Sequence, residues 1–380
     1  MTKKIGFIGY GLRSGTMMNA FRNLECDIAV AGIVDPNQEK VKEKMKGDPL
    51  FDGTVLLDST EELLKMELDG IFIGTRCSMH TDLACKVLST DIPLFLEKPV
   101  CINIEQYEKL RNASLGKEDR VVVSFPLRYS SITGEMKRIV DSGILGKLTM
   151  VQAINNVPYG SVYYHSWYRD TNETGGLFLQ KATHDIDYIN YLIDDKPSEV
   201  CATKSKLYYK GNKPAGLHCT DCSEYRTCIE SSYVVSKLLK EEVTGDACCF
   251  AVDTGNEDLA SAIFTTESGL IISYNQNFIV KKGAQRRGCR LIGTKGSAEF
   301  DFYTAEIRVD HYQAPQTDLS RFNYPPGAHF GGDEELALDF MNVMNGKKAK
   351  ANLKDGLISA ACCLAARQSS EDKQFVKIKY

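Results

Sequence analysis

The chain has 380 residues, 43% of them hydrophobic and 25% charged, with a formal net charge of −4. This length allows two domains with ample core, the balance is that of a soluble globular protein, and the slight acidity argues against nucleic acid or an anionic membrane as partner. No apolar run approaches the ~18 residues of a membrane helix, the start Met1-Thr2-Lys3-Lys4 leaves no room for a signal peptide, and thirteen scattered cysteines fit a reducing cytoplasm better than a disulfide framework.

Ile5-Gly6-Phe7-Ile8 predicts a short buried strand. It runs into the turn Gly9-Tyr10-Gly11-Leu12-Arg13-Ser14-Gly15, and Met17, Ala20, Phe21 and Leu24 then fall at helical spacing. A second apolar run, 28–34, stops at Asp35-Pro36. Strand, glycine turn, helix, strand and acid in this order point to a dinucleotide. Gly9 turns tightly off the strand, Gly11 lets a pyrophosphate approach the backbone, and the free amides of the helix start face the phosphates. The amides and side chains of Leu12 and Arg13 fall in the same loop. Asp35 lies where a carboxylate accepts both ribose hydroxyls, so NAD is favoured over NADP, whose 2′-phosphate it would repel. Ser14 takes the place of a third glycine and is small enough for close packing.

A charged helix follows over 38–46, then a brief strand (54–57), a helix (60–66) capped by Ser59, and a buried strand, Gly70-Ile71-Phe72-Ile73. A helix (81–89), a strand (93–96) and a helix (104–111) lead to the strand 120–125. Alternation at this rhythm predicts a parallel α/β sheet with helices on both faces. Ligands of such sheets sit beyond the carboxyl ends of the strands. Thr75, Arg76, His80, Glu97 and Lys98 lie there and are read as cofactor contacts. The boundary is placed near Phe125-Pro126, giving a dinucleotide domain over 1–125 and a substrate and oligomerisation domain over 126–380.

In the second part, a helix over 131–142 precedes a strand over 148–155. Tyr159 to Arg169 is dense in aromatics, and Thr174-Gly175-Gly176 opens a helix from Leu177 to about Leu192. Runs at 259–264, 270–278, 288–292, 298–302 and 306–311 read as antiparallel strands. Two helices close the chain, at 333–344 and 357–369. Residues 210–256 are the least readable. There His218-Cys219-x-x-Cys222-x5-Cys228 offers three thiols and an imidazole, with Cys248 or Cys249 to complete a set. A reduced thiol loop is favoured over a structural zinc or iron–sulfur site, because the second CxxC half is missing.

Glu97-Lys98-Pro99, the Gly9-x-Gly11 turn, the Thr75 to His80 segment, Gly175-Gly176-Leu177-Phe178-Leu179-Gln180-Lys181-Ala182-Thr183-His184-Asp185 and Gly293-Thr294-Lys295-Gly296 together resemble the glucose–fructose oxidoreductase/inositol dehydrogenase (Gfo/Idh/MocA) family. The resemblance spans nearly the whole chain. It implies a Rossmann domain followed by an α/β domain with a large open, mostly antiparallel sheet. It also implies a homodimer or homotetramer formed through that sheet, and reversible oxidation of a secondary alcohol on a sugar or cyclitol, with hydride passing to nicotinamide. By resemblance Lys98 touches the nicotinamide ribose and the reacting hydroxyl, and His184 is the acid/base, an imidazole titrating near neutrality.

The chain departs from the commonest pattern at Gln180, where many relatives carry aspartate. A neutral amide orients an imidazole without stabilising its charged form, and Lys181 alongside would depress the proton affinity of His184. On one continuous helix Lys181, His184 and Tyr188 would share a face, as would Gln180, His184 and Asp187. Lys98, Lys181 or a water relay then shares the proton work. Arg128, Tyr164, His165, Trp167, Gln180 and His329 are the candidate substrate contacts. An NAD-retaining glycosidase, lyase or epimerase and a non-catalytic dinucleotide-binding regulator stay open beside the dehydrogenase.

Overall fold

The computed structural model describes residues 2–240, 243–324 and 328–380. Two compact units divide the chain: 1–134 with 324–361 and 380, and 135–323 with 362–379. The stretch expected as one domain from 126 onward is thus shared between them, because residues 324–361 fold with the first part of the chain.

Among the described residues the first unit holds one parallel sheet of β1 (Lys3–Ile8), β2 (Ile28–Val34), β3 (Val55–Leu57), β4 (Gly70–Ile73), β5 (Leu94–Leu96) and β6 (Val121–Val123). Their order is β3-β2-β1-β4-β5-β6, all parallel. The order reverses between β1 and β4, which opens a crevice past their carboxyl ends. Phe7, Phe72 and Phe95 stand in register on β1, β4 and β5, with ring centroids 5.2 and 4.4 Å apart. Helix Gly332–Met344 lays Phe340 edge-on against Phe95 at 5.5 Å. This aromatic row fixes the sheet under the loops that leave β1, β4 and β5, and each such pair adds about 1 kcal/mol beyond its burial.

The second sheet runs β14-β13-β12-β11-β7-β10-β9-β8-β15. Its strands are β7 (Leu148–Asn156), β8 (Pro197–Ser205), β9 (Leu259–Thr266), β10 (Ile271–Asn277), β11 (Arg286–Gly293), β12 (Gly296–Asp301), β13 (Glu306–His311), β14 (Thr317–Arg321) and β15 (Val376–Lys377). The sheet is mostly antiparallel, but β7 and β10 pair in parallel. On the buried face Val151, Ala153 and Asn155 alternate along β7, Ile272, Tyr274 and Gln276 along β10, and Arg287, Cys289 and Leu291 along β11. Register sets Gln276 and Arg287 on either side of Asn155, so three polar residues cross three strands in one line.

The helix expected from Leu177 to Leu192 is two helices, Leu177–Gln180 and Ala182–Ile193, broken at Lys181 (φ −112°, ψ −49°). Helical spacing therefore does not carry Lys181 or Gln180 onto the face of His184. Only the pairs within the second piece, such as His184 and Tyr188, keep that relation.

Candidate active site

In the first unit the glycine turn is built for close approach. Gly9 has φ +81°, and a Cβ there would strike Thr75 Cγ2 at 2.8 Å. A Cβ on Gly11 would meet only the Gly74 carbonyl, at 3.8 Å, so open space lies over the start of helix Leu12–Asn23. Ser14 Oγ donates to the Gly9 carbonyl at 2.8 Å and closes the turn from below. Leu12 projects into solvent, 79% exposed. Asp35 accepts from the Tyr10 amide (2.7 Å) on one oxygen and from the Asn37 amide (2.8 Å) on the other. Each oxygen keeps a further lone pair for a sugar hydroxyl. The residues present therefore fit an adenine dinucleotide: amides for phosphates, a carboxylate for ribose. Lys44 donates to the Tyr10 carbonyl at 3.0 Å and brings one cation to the same end.

Several residues expected at the cofactor hold the loops instead. His80 is buried, with Nδ1 2.8 Å from the Pro99 carbonyl and Nε2 3.3 Å from the Thr75 carbonyl. Burial lowers its pKa, and a neutral ring has a single N–H, which the nearer Pro99 carbonyl accepts. Arg13 reaches Glu97 (2.8 Å), Asp333 (2.6 Å) and Ser124 Oγ (3.1 Å). Burial alone would lower its pKa, but Glu97 and Asp333 outweigh it and the net shift is upward. His329 Nδ1 lies 3.1 Å from Asp333, on backbone held left-handed at φ +61°. His329, Asp333, Arg13 and Glu97 thus form one ionic chain that ends on the residue before Lys98. The Lys98–Pro99 peptide is cis, and Lys98 is half-buried. Arg76 is exposed beside Thr75. Arg128 is committed to Asp355 (2.7 Å) and the Lys350 carbonyl (3.2 Å), a structural tie rather than a substrate contact.

In the second unit Gly175 and Gly176 both have positive φ (75° and 87°), and the Leu177 and Phe178 amides donate to Glu257 at 3.1 Å each. An acid at a helix start satisfies amides that the helix leaves bare. Gln180, Lys181 and His184 follow, all buried. Lys181 Nζ donates to the Tyr159 hydroxyl at 2.5 Å and lies 4.8 Å from that ring's centre. Burial, then the nearby Arg287, push its pKa well below that of an ordinary lysine, with only Asp185 opposing. Asp185 itself accepts from Arg287 Nε (2.8 Å), Asn155 Nδ2 (2.6 Å) and the Tyr274 hydroxyl (2.8 Å). Burial pushes the Arg287 pKa down, but Asp185 overcomes this and the net shift is upward. The site thus combines an amine of lowered pKa, an imidazole and a fixed ion pair.

Tyr164 is core: it stacks on Tyr209 at 3.9 Å and donates to the Glu257 carbonyl at 2.8 Å. His165 is buried with Nδ1 2.6 Å from the Ala247 carbonyl, and burial lowers its pKa. Neither is placed for a substrate. Trp167 stacks on Tyr168 at 4.0 Å and stays half-buried. Sequence reasoning gave no role to Tyr159, Asp185 or Arg287. The available signal was an arginine sharing its strand face with Cys289 and Leu291. Among the described residues no three His, Cys, Asp or Glu side chains are arranged to hold a metal ion, and no helix is long and apolar enough to cross a membrane.

A family model described as an oxidoreductase family with an NAD-binding Rossmann fold matches residues 3–125, and one described as the GFO/IDH/MocA C-terminal domain matches residues 133–299. The chain is 22% identical over 381 aligned positions to the myo-inositol 2-dehydrogenase of Thermotoga maritima, covering 99% of this chain and 98% of that protein. It is 26% identical over 204 residues to the inositol 2-dehydrogenase/D-chiro-inositol 3-dehydrogenase of Lacticaseibacillus casei, covering 53% of this chain and 56% of that protein. A solved levoglucosan dehydrogenase, in complex with NADH and levoglucosan, is similar in fold with a TM-score of 0.78 at 16% identity, with both chains fully covered.

Proposed function

Since the chain belongs to the GFO/IDH/MocA oxidoreductase family, we propose that it oxidises a secondary hydroxyl of a sugar or cyclitol, with NAD as hydride acceptor. The observation that carries this reading is the buried Lys181 amine on the Tyr159 hydroxyl, three residues before His184. Oxidation takes a hydride from the carbinol carbon and a proton from its hydroxyl. Nicotinamide, when bound, accepts the hydride. His184 takes the proton. Lys98 places positive charge where the alkoxide forms. Lys181, disposed to be neutral, is a second proton acceptor, and Tyr159, 40% exposed, links it to solvent.

The amides of the Gly9 to Leu12 turn receive the pyrophosphate, with Thr75 and Arg76 beside the cofactor. Asp35 takes the ribose and disfavours the 2′-phosphate of NADP, against the opposing charge of Lys44. Trp167 and His329 are the substrate contacts retained. The protein works in a reducing cytoplasm as a homodimer or homotetramer. Its contact surface is the nine-stranded sheet, where Ile263 and Ile271 are 51% and 40% exposed.

A second reading is favoured by the same amine. An amine whose pKa burial pushes well below that of an ordinary lysine suits removal of a C–H proton beside a transient ketone, as in an NAD-retaining glycosidase, lyase or epimerase. One experiment separates the readings. The purified protein is scanned for bound NADH, then given inositols, hexoses, levoglucosan and aryl glycosides with NAD. Growth of NADH supports the dehydrogenase, and product release without it supports redox recycling. Cofactor binding with neither leaves a regulator and overturns the catalytic assignment.

A further inference from the structure

Five of the thirteen cysteines meet at one place. Cys219, Cys222, Cys228, Cys248 and Cys249 line a single cavity of about 20 Å³ in the second unit. That is room for one water-sized body, which suits a single ion and excludes an organic ligand or a multi-iron cluster.

The backbone explains the convergence. A β-bridge joins His218 to Ala247, the Cys219 amide donates to the Asp246 carbonyl at 2.7 Å, and the Cys248 amide donates to the Leu217 carbonyl at 2.8 Å. Cys219 and Cys248 are thus carried on two adjacent antiparallel segments. The tight turn Cys219–Asp221 closes with the Cys222 amide on the Cys219 carbonyl at 3.1 Å and presents the second thiol. A further turn brings back the third, the Cys228 amide donating to the Glu224 carbonyl at 2.8 Å.

Other donors at the cavity are already engaged. Glu230 holds Lys281 Nζ at 2.6 Å and the Tyr208 hydroxyl at 2.9 Å, and Glu224 pairs with Lys213. The His218 side chain is 57% exposed and faces Asp246 at 3.8 Å, outside the set. Cys249 packs in the apolar cluster of Tyr164, Tyr209 and Phe278. Four thiols are left, with Cys219 Sγ 3.9 Å from His165 Nδ1.

We propose that Cys219, Cys222, Cys228 and Cys248 bind one zinc ion as a structural four-thiolate site. Among the described residues no three donors already converge on a point. The sulfurs border the cavity, and ligation draws each to about 2.3 Å from the ion. Each thiol gives its proton to solvent on binding, so the site carries two net negative charges. The ion ties the turns at 217–228 to the segment at 246–248, and its binding energy adds to folding. This site is independent of the catalytic reading.

The test is elemental analysis of untagged protein purified without chelator from zinc-supplemented medium. The parent should carry about one zinc per chain, and Cys222→Ser and Cys248→Ser each should lose most of it, to roughly a tenth or less. Cys85→Ser, elsewhere in the chain, should keep it. Where a serine variant fails to fold, the parent decides. Titration with p-hydroxymercuribenzoate should release zinc in step with about four thiols, and cobalt-substituted protein should show the sulfur-to-metal absorption of a tetrahedral thiolate site. A parent without zinc, or full zinc retention in both serine variants, overturns the proposal.

Discussion

Replacing Asp185 with asparagine changes one buried charge and almost no volume. Asp185 and Arg287 have side chains 0% and 4% exposed, and the carboxylate receives three donors at 2.6–2.8 Å. In Asp185→Asn the Arg287 charge stays buried without a counter-ion, and one of the two accepting oxygens is replaced by an N–H donor. Breaking such a pair from one side costs about 3–5 kcal/mol. For a unit of roughly two hundred residues each kcal/mol is worth about 2–4 °C, so the second unit's melting transition should fall by about 10 °C. Scanning calorimetry at pH 7 reads this directly. The double variant Asp185→Leu with Arg287→Met removes both charges together and should regain most of the loss. A single variant that melts within about 3 °C of the parent, a change of roughly 1 kcal/mol, would refute the argument that this pair is electrostatically coupled.

Three further outcomes are expected. Lys181 has a folded pKa below its unfolded value of about 10.4, so between those two values the unfolded chain binds the extra proton and stability rises with pH. Lys181→Met should therefore be more stable than the parent near neutrality, the gap closing at up to about 1.4 kcal/mol per pH unit toward pH 10; parallel stability curves would refute it. Lys98→Ala and His184→Ala should each spare NAD binding, measured by fluorescence titration, while turnover falls about a hundredfold or more. Near-normal rates in both would remove the site assignment. Asp35→Ser should relax discrimination against NADP, and an unchanged ratio of kcat/KM for the two cofactors would count against Asp35 as the ribose reader.

The first sheet was legible because its strands centre on short apolar runs, five of the six followed directly by glycine or an acid (Gly9, Asp35, Asp58, Gly74, Glu97), and the crevice followed from that order. The edges of the second sheet were not. β14 reads Thr-Asp-Leu-Ser-Arg, exposed throughout, and β15 is two residues long. Such strands are held by backbone pairing to a neighbour and leave no periodic apolar mark. The parallel pairing of β7 with β10 is a long-range choice that alternation cannot reveal. Among the residues proposed for the site, His184 and Lys98 stand out through their motifs. Tyr159 and Arg287 do not: Arg287 meets Asp185 from a strand 102 residues away, and Tyr159 meets Lys181 from a loop 22 residues earlier, with no shared periodicity to mark either pair. His80, Arg13 and Arg128 sit in the helices that follow strand ends, and each is engaged by carbonyls or acids that only the fold brings near. The break at Lys181 removed a face argument that assumed an uninterrupted helix.

The polar line Gln276–Asn155–Arg287 couples sheet alignment to proton chemistry. Sliding β11 by one position past β7 would turn Arg287 to the opposite side and strand Asp185 in the interior without its cation, so a misaligned sheet would be penalised through its most deeply enclosed charge. The strands beneath the helix bearing His184 are therefore intolerant of insertions. Any broadening of the alcohols accepted by this scaffold has to come from the connecting segments, with the lattice underneath left as it is.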